Sequence, residues 1–111
     1  MSTPRFPIPQ GTLDMLILQI VSLEPAHGYG IARRVRQVSR AAVQVNQGSL
    51  YPALHRLEQK GWLKSGWRQS ETGREAKFYS LTRAGEKQLA VEKESWNRLT
   101  TAVRLIFDEG K

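Results

Sequence analysis

The sequence predicts a mainly α-helical fold with one small β-hairpin and a long C-terminal helix. Three observations predict it. Apolar residues recur at helical spacing in several segments of the 111-residue chain. Two strand-like runs that contain Trp67, Phe78 and Tyr79 flank a turn with glycine. The segment after Thr82 keeps a helical pattern for roughly 25 residues, or about 38 Å.

Composition narrows the class of protein. The chain is long enough for one domain with a modest core, and its hydrophobic content of 40% argues against disorder. It has no cysteine, which excludes a disulfide framework and a thiolate metal site. No apolar run reaches the length of a membrane span, and residues 1–9 lack the apolar core of a signal peptide. These features predict a soluble cytoplasmic protein.

The positive charge is concentrated in the middle of the chain. The net charge is +7, and residues 27–85 contain eleven Lys or Arg but only three acidic residues, whereas the flanking segments are close to neutral. A basic segment between neutral ones is typical of a protein that binds a polyanion such as nucleic acid.

The N-terminal segment predicts an extended arm and a first helix. Residues 1–10 alternate prolines with other residues and form the arm. The helix is expected to begin at Thr12, to place Asp14 at the positive end of its dipole and to end at Glu24. Its apolar residues cover more than one face, which predicts burial on two sides, one of them against a second subunit. They are Leu13, Leu16, Ile17, Ile20 and Val21, with Met15 and Leu18 beside them.

A second helix is expected from the turn at residues 27–30 to about Val38. Its inward set is Ile31, Val35 and Val38, and its outward arginines are Arg33, Arg34 and Arg36, followed by Arg40. Tyr29 is either a packing residue or a phosphate contact through its hydroxyl. Residues 41–45 alternate in polarity and predict a short strand, which would distinguish a winged helix-turn-helix from the plain motif.

Residues 47–63 predict a short third helix with marked ends. Ser49 is expected to cap it, with Pro52 at the third helical position, and Gly61 is expected to end it while Trp62 folds back on Leu57. The buried stripe is Leu50, Leu54 and Leu57, and the opposite face shows Pro52, Ala53, His55, Arg56, Gln59 and Lys60. This face has no acid and suits a DNA major groove. An ordinary surface helix with a solvated face fits the same stretch.

Two further elements complete the chain. The runs 63–70 and 76–81 predict a hairpin that carries Arg68, Arg74 and Lys77, although a plain surface hairpin is often charged too. Thr82 is expected to cap the last helix. Its apolar residues recur seven apart and predict a seam that a second copy of the chain covers; they are Leu89, Trp96 and Val103, with Leu99 and Ile106.

With these residues in place, the chain resembles the PadR family of bacterial winged-helix regulators. The similarity covers most of the chain, through the segments 27–31, 48–54, 57–63, 73–74, 77–79 and 81–82. Glu75 departs from the family pattern, which often has a basic or neutral residue there. The resemblance implies a winged-helix DNA-binding domain at residues 11–81 and a C-terminal dimerisation helix at residues 82–111. Some short members bind flat aromatic compounds against a tryptophan that matches Trp96, so this residue is a candidate effector contact.

These observations favour a dimeric, sequence-specific repressor on a near-palindromic DNA site. The predicted DNA contacts are Tyr29, Arg34, Gln47, Ser49, Tyr51, Pro52, His55, Arg56, Lys60, Arg68, Arg74 and Lys77. His55 and Arg56 are assigned to base edges and most of the others to phosphates, although Tyr51 equally fits packing against the second helix. The predicted dimer contacts are Leu13, Ile17, Leu89, Trp96, Leu99, Val103 and Ile106.

Two other classes of function are an enzyme and an interaction module that does not regulate transcription. An enzyme is disfavoured, because the only histidines, His27 and His55, have no nucleophile, carboxylate pair or zinc ligand set at motif spacing. No cofactor or metal is therefore expected. The alternative to a regulator is a basic, dimeric interaction module that prefers no DNA sequence.

Overall fold

A computed structural model of the chain describes residues 8–110. These residues form four helices and a three-stranded antiparallel sheet, in the winged-helix arrangement that the sequence predicts. The elements are α1 (Gln10–Leu23), β1 (Ala26–His27), α2 (Gly28–Val38), α3 (Gln47–Gln59), β2 (Leu63–Gln69), β3 (Glu75–Leu81) and α4 (Arg83–Glu109). The predicted N-terminal arm falls largely on residues 1–7, outside the described part of the chain.

The sheet has the strand order β1-β3-β2, and its hairpin is the wing. Leu63 pairs with Leu81 at the base of the hairpin, and Gln69 pairs with Glu75 next to the turn. Gly73 occupies the left-handed region at φ +83° in that turn, a conformation that glycine adopts without steric cost. The short strand β1 adds to the other edge of β3, because Ala26 pairs with Tyr79.

The prediction of a strand at residues 41–45 is wrong. Residues 39–46 form turns and an irregular loop, in which Arg40 and Ala41 have positive φ values of 54° and 66°. The loop satisfies its backbone locally: the Ser39 hydroxyl accepts a hydrogen bond from the Val43 N–H at 3.0 Å, and the Ala41 N–H donates to the Arg36 carbonyl at 2.7 Å. The third strand is instead β1, which precedes α2 rather than following it.

Helix α1 lies at the centre of the hydrophobic core. Helices α2 and α3, the base of the wing and the first turns of α4 pack around this helix. The fully buried large side chains of the core are Ile17, Leu18, Ile31, Leu50, Leu54, Leu57 and Leu63. Leu13 and Ile17, predicted at the dimer interface, belong to this core with 4% and 0% exposure. They are covered by the chain's own elements and are not available to a second copy.

Several predicted helix boundaries and faces need correction. Helix α1 begins at Gln10 rather than Thr12, and no side chain caps it. Asp14 therefore lies beyond the first turn, where it is buried at 6% exposure. Val38 is 59% exposed at the end of α2 rather than inward-facing, and Ala53 is buried rather than on the outer face of α3.

Thr82 links the end of α3 to the start of α4 through two hydrogen bonds of its hydroxyl group. Its hydroxyl accepts a hydrogen bond from the Gly85 N–H at 3.0 Å, which caps α4 as predicted, and donates to the Gly61 carbonyl at 2.6 Å. Gly85 packs so closely against the Trp62 carbonyl that a Cβ at this position would overlap it. The start of the long helix is thus held directly against the end of α3.

Candidate nucleic-acid interface

Helix α3 is fixed at both ends by local hydrogen bonds. Asn46, not Ser49, is the N-cap residue: its side-chain oxygen accepts the Ser49 N–H at 2.9 Å. Because the helix starts at Gln47, Pro52 is its sixth residue, well past the third position that was predicted. The predicted C-terminal end is confirmed, since Gly61 has φ +80° and the N–H of the following residue donates to the Leu57 carbonyl at 3.0 Å.

The outer face of α3 is a narrow uncharged stripe. Gly48, Pro52, His55 and Gln59 are all exposed and follow one another at intervals of four, three and four residues, which places them on one line along the helix. The stripe is small at its N-terminal half and carries hydrogen-bonding side chains at its C-terminal half. Such a surface admits the edges of base pairs close to the helix backbone.

Arg56 does not lie on this stripe. Its Nη2 atom is 3.0 Å from Oδ1 of Asp14 in α1, and the two side chains are 31% and 8% exposed. The Nε atom of Arg56 is buried and has no partner among the described residues. The assignment of Arg56 to a base edge is therefore wrong for this conformation, because the buried carboxylate draws the guanidinium inward against α1.

Tyr51 packs against the second helix, one of the two roles that the sequence left open, and its contact with phosphate stays a prediction. Its side chain is 46% exposed on the first part of α3. The inner edge of its ring lies on Gly28, at the start of α2, where a Cβ would come within 2.7 Å of the Tyr51 Cε1 atom. Glycine at position 28 therefore lets the two helices approach, and the Tyr51 hydroxyl oxygen also lies against it, 3.0 Å from where a Cβ would be.

The start of α2 presents a second group of exposed side chains. His27 caps this helix, with Nδ1 accepting the Gly30 N–H at 3.0 Å. Tyr29 is 61% exposed, and the Arg33 guanidinium lies 5.7 Å from the centre of its ring. Arg33 also forms an exposed ion pair of 3.4 Å with Glu71 in the turn of the wing. Pairs this exposed contribute little to stability, so both groups remain available to a ligand.

The two faces of the wing have different surroundings. Ser65, on one face, donates a hydrogen bond to Glu58 Oε2 of α3 at 2.5 Å, and Lys77 on the same face lies 3.4 Å from Glu58 Oε1. The opposite face carries Arg68, whose guanidinium is 4.1 Å from the centre of the Phe78 ring. Residues on alternate positions of a strand point to opposite faces, so Arg68 faces away from α3.

The Glu58 carboxylate joins α3 to the wing. The hydrogen bond from Ser65 and the charge of Lys77 hold its pKa below the ordinary value of 4.5. Lys77 was predicted to bind phosphate as a free cation, but it is shared with this carboxylate. At the turn, by contrast, Arg74 is exposed and has no carboxylate partner among residues 8–110.

Arg34 and Arg68 line a groove of about 510 Å³ between the end of α1, α2 and the wing. The groove opens on the sheet face that bears Phe78. These two predicted DNA contacts are thus brought together, but not beside the outer stripe of α3.

Helix α4 extends beyond the core and exposes an apolar seam. Leu89 is buried within its own chain, whereas Trp96, Leu99, Val103 and Ile106 are 37–70% exposed. Leu105 and Phe107, at 66% and 74% exposure, add apolar surface that the heptad pattern did not include. Trp96 and Leu99 line a shallow groove of about 300 Å³ together with Thr12 and Met15 of α1. Only the first turns of α1 thus face the seam.

Comparison with known proteins identifies the family. The model of the "Transcriptional regulator PadR-like family" matches residues 17–91. The chain belongs to the PadR-like family of transcriptional regulators.

Individual relatives agree with this assignment. A PadR-like transcriptional regulator from Bacillus cereus is 30% identical, with a TM-score of 0.76 over 88% of this chain and 93% of its own. A PadR family regulator from Clostridium difficile is 31% identical, with a TM-score of 0.75 over 86% of this chain and 97% of its own. A transcriptional regulator of Mycobacterium tuberculosis is 37% identical over 61% of this chain and 63% of its own length.

The family and the described residues bear on three classes of protein: enzymes, metal-binding proteins and membrane proteins. Family members of this kind are regulators rather than enzymes, and residues 8–110 contain no group of three or more potential metal ligands. Within the same range, no helix is both long and apolar enough to cross a membrane.

Three features of this candidate site were missed from the sequence: the Asn46 cap, the pairing of Arg56 with Asp14, and the exposed Trp67 of the wing. A signal existed for the pair, because Asp14, Ile17, Leu18 and Val21 follow helical spacing and place the carboxylate in the buried stripe.

Proposed function

We propose that this PadR-like protein is a dimeric, sequence-specific DNA-binding repressor that acts on a near-palindromic operator. The observation that carries the proposal is the outer stripe of α3, an exposed, uncharged line of Gly48, Pro52, His55 and Gln59 that Lys60 follows at the end of the helix. An uncharged, narrow ridge suits the floor of a major groove, while flanking cations suit the phosphates on either side. We therefore assign α3 as the recognition helix.

Base readout is assigned to the C-terminal half of the stripe. Gln59 can pair with adenine through one donor and one acceptor, and the imidazole of His55 can donate to a base edge. Pro52 offers an apolar surface to a thymine methyl group. Arg56 is left out of this set because it is paired with Asp14.

Phosphate contacts are assigned to exposed groups around the stripe. They are Tyr29 at the start of α2, Gln47, Ser49 and Tyr51 at the start of α3, Lys60 at its end and Arg74 in the wing turn. The Lys60 ammonium lies 4.8 Å from the centre of the Trp62 ring, which holds it at the edge of the helix. Arg34, Arg68 and Lys77 are kept as peripheral contributors to the positive field.

Dimerisation is assigned to the exposed seam of α4. Its large apolar side chains would remain in water in a monomer, and burying the four seam residues in a second chain would remove this cost. Two recognition helices must lie about 34 Å apart to enter successive major grooves. Helix α4 contains 27 residues and is about 40 Å long, so a pair of such helices can span that separation.

An effector is the last part of the proposal. The groove beside Trp96 is lined by α1 and by the seam of α4. A flat aromatic compound bound there would act by favouring one dimer arrangement over another, and only to the extent of its differential affinity for the two.

Selection of bound sequences from random duplex DNA tests the function directly. We expect recovered sites with two related half-sites, and a binding constant whose logarithm falls linearly with log salt at about −0.9 per phosphate contacted. Gln59→Ala should relax the preference at one base pair, at a cost of about 1–3 kcal/mol on the selected site. Recovery of no preferred sequence would instead support a basic interaction module.

A further inference from the structure

The groove between the end of α1, helix α2 and the wing has no part in the proposed base and phosphate contacts. None of the residues assigned to those contacts lines it. Its volume of about 510 Å³ falls within the range of about 300–1,000 Å³ that is usual for small-molecule sites. We call it the Phe78 groove, after the ring in its wall.

Apolar side chains from two parts of the fold form one portion of the wall. Leu23 and Pro25 come from the end of α1 and the segment after it, and Phe78 comes from β3. Leu23 is 61% exposed, and the Phe78 ring is half-buried. A ligand with an apolar body would therefore cover surface that now faces water, which is favourable.

Arg68 is held at this groove by the Phe78 ring. Its guanidinium carbon lies over the ring, 4.1 Å from the centre. Gly66 pairs with Phe78 and has no side chain, so Arg68, two residues farther along the same face of β2, can reach across the ring. A contact through the π-face leaves guanidinium N–H groups free to grip a carboxylate with two parallel hydrogen bonds.

The charges that line the Phe78 groove favour an anion. Within residues 8–110, neither Arg34 nor Arg68 forms an ion pair with a carboxylate. Arg33 and Glu71 also line the groove, but they pair with each other at 3.4 Å. The carboxylate that remains, Glu24, is exposed to water and is outnumbered by the two unpaired guanidinium groups.

His27 adds an uncharged donor to the same wall. Its Nδ1 atom accepts the Gly30 N–H at 3.0 Å, so the proton of the neutral ring lies on Nε2. The imidazole meets the Phe78 ring edge-on, with 5.2 Å between the ring centres and an angle of 89° between the planes. The groove thus combines an apolar wall with fixed donors.

We infer that the Phe78 groove binds a small amphipathic carboxylate. The Arg68 guanidinium takes the carboxylate group, the apolar body lies against Phe78 and Leu23, and Arg34 adds positive field. This site is separate from the outer stripe of α3 and from the groove beside Trp96. The inference goes beyond the proposed function, because such binding needs neither DNA nor a second copy of the chain.

NMR titration of the ¹⁵N-labelled natural chain with octanoate tests the site without DNA. We expect backbone amide signals of Gly30, Gly66 and Phe78 to shift in a saturable way. Octylammonium, with the same apolar body and the opposite charge, and inorganic phosphate, an anion without an apolar body, should both bind more weakly. Equal binding of either compound, or octanoate shifts confined to the surroundings of Trp96, would overturn the inference.

Two arginine variants locate the carboxylate. Arg68→Gln should weaken octanoate binding about tenfold, because it removes a charged hydrogen-bond donor. Arg36→Gln is the matched control, since Arg36 is also exposed but does not line the groove, and it should bind octanoate normally. Equal affinities of the two variants would overturn the inference.

A substitution on the opposite wall gives an independent check that leaves Arg68 and Phe78 in place. Leu23→Asp removes apolar surface at an exposed position and adds a carboxylate that repels the ligand. It should weaken octanoate binding, whereas Leu23→Met, which keeps an apolar side chain, should retain most of it. Undiminished binding by Leu23→Asp would show that octanoate does not occupy the Phe78 groove.

Discussion

The pair between Arg56 and Asp14 predicts an asymmetric response to mutation. The carboxylate of Asp14 is 8% exposed, whereas the Arg56 side chain is 31% exposed. Arg56→Met keeps the aliphatic stem but leaves a buried carboxylate unpaired, which should cost about 4 kcal/mol of stability. Asp14→Asn leaves a guanidinium that water already reaches, and it should cost about 2 kcal/mol. The two costs differ because Arg56→Met leaves a charge that is buried, whereas Asp14→Asn leaves a charge that water reaches.

Urea unfolding followed by far-UV circular dichroism measures both changes. The protein concentration must be the same for all variants, because association adds to apparent stability. The Asp14→Leu/Arg56→Met double variant is the control: with both charges gone, its stability should return to within about 1 kcal/mol of the natural chain. Costs below about 0.5 kcal/mol for both single variants, or a larger cost for Asp14→Asn, would refute the buried-pair argument.

The same variants test whether Arg56 only positions α3 or also contacts bases. If Arg56 only holds α3 against α1, Arg56→Met should weaken operator binding without changing which bases are preferred at any position. A base preference lost at one position alone would show that Arg56 leaves Asp14 to reach DNA.

Three further predictions concern other contacts of the fold. Gly28→Ala should lower the free energy of unfolding by about 1 kcal/mol, because the exposed ring of Tyr51 can move aside. Gly85→Ala should lower it by about 3 kcal/mol, because its methyl group would meet a backbone carbonyl. Equal costs in urea unfolding would contradict this reasoning. The lowered pKa of Glu58 means that its carboxylate stabilises the fold above pH 4.5, and that this contribution is lost as the pH falls through the lower folded-state pKa. Glu58→Gln should therefore lose less stability than the natural chain over that acidic range, and parallel acid-unfolding curves would count against it. Val103→Asp should yield monomers with much weaker operator binding, as tested by sedimentation, and an intact dimer would place the interface elsewhere.

Much of the fold could be predicted because its signals are local. The end of α3 depends on glycine at position 61, and the start of α4 depends on the hydroxyl of Thr82; both are decided within a few residues. The wing likewise follows from alternation in its two strands around the turn with Gly73. Strand β1 could not be predicted in the same way, because two residues are too few to show a period.

The candidate site was harder to predict because its side chains are placed by distant partners. The direction of Arg56 depends on a carboxylate 42 residues earlier in the chain, and that of Lys77 depends on Glu58. Charge alone assigned both cations to DNA. Leu13 and Ile17 were misplaced for a related reason: an apolar helix with several covered faces looks the same whether its own chain or a second copy covers it.

The two ion pairs together explain how the outer stripe of α3 comes to be uncharged. Arg56 is drawn to α1 on one flank of the helix, and Glu58 is held by the wing on the other. These contacts remove the only cation and the only carboxylate of the segment 48–59 from the surface that would meet base pairs. Affinity and specificity should then be separable: changes on the stripe should alter base preference at constant salt slope, and changes in the flanking cations should alter the slope at constant preference. A stripe variant such as His55→Ala that reduced the salt slope as strongly as Arg74→Ala would show that the helix meets the phosphates rather than the groove floor.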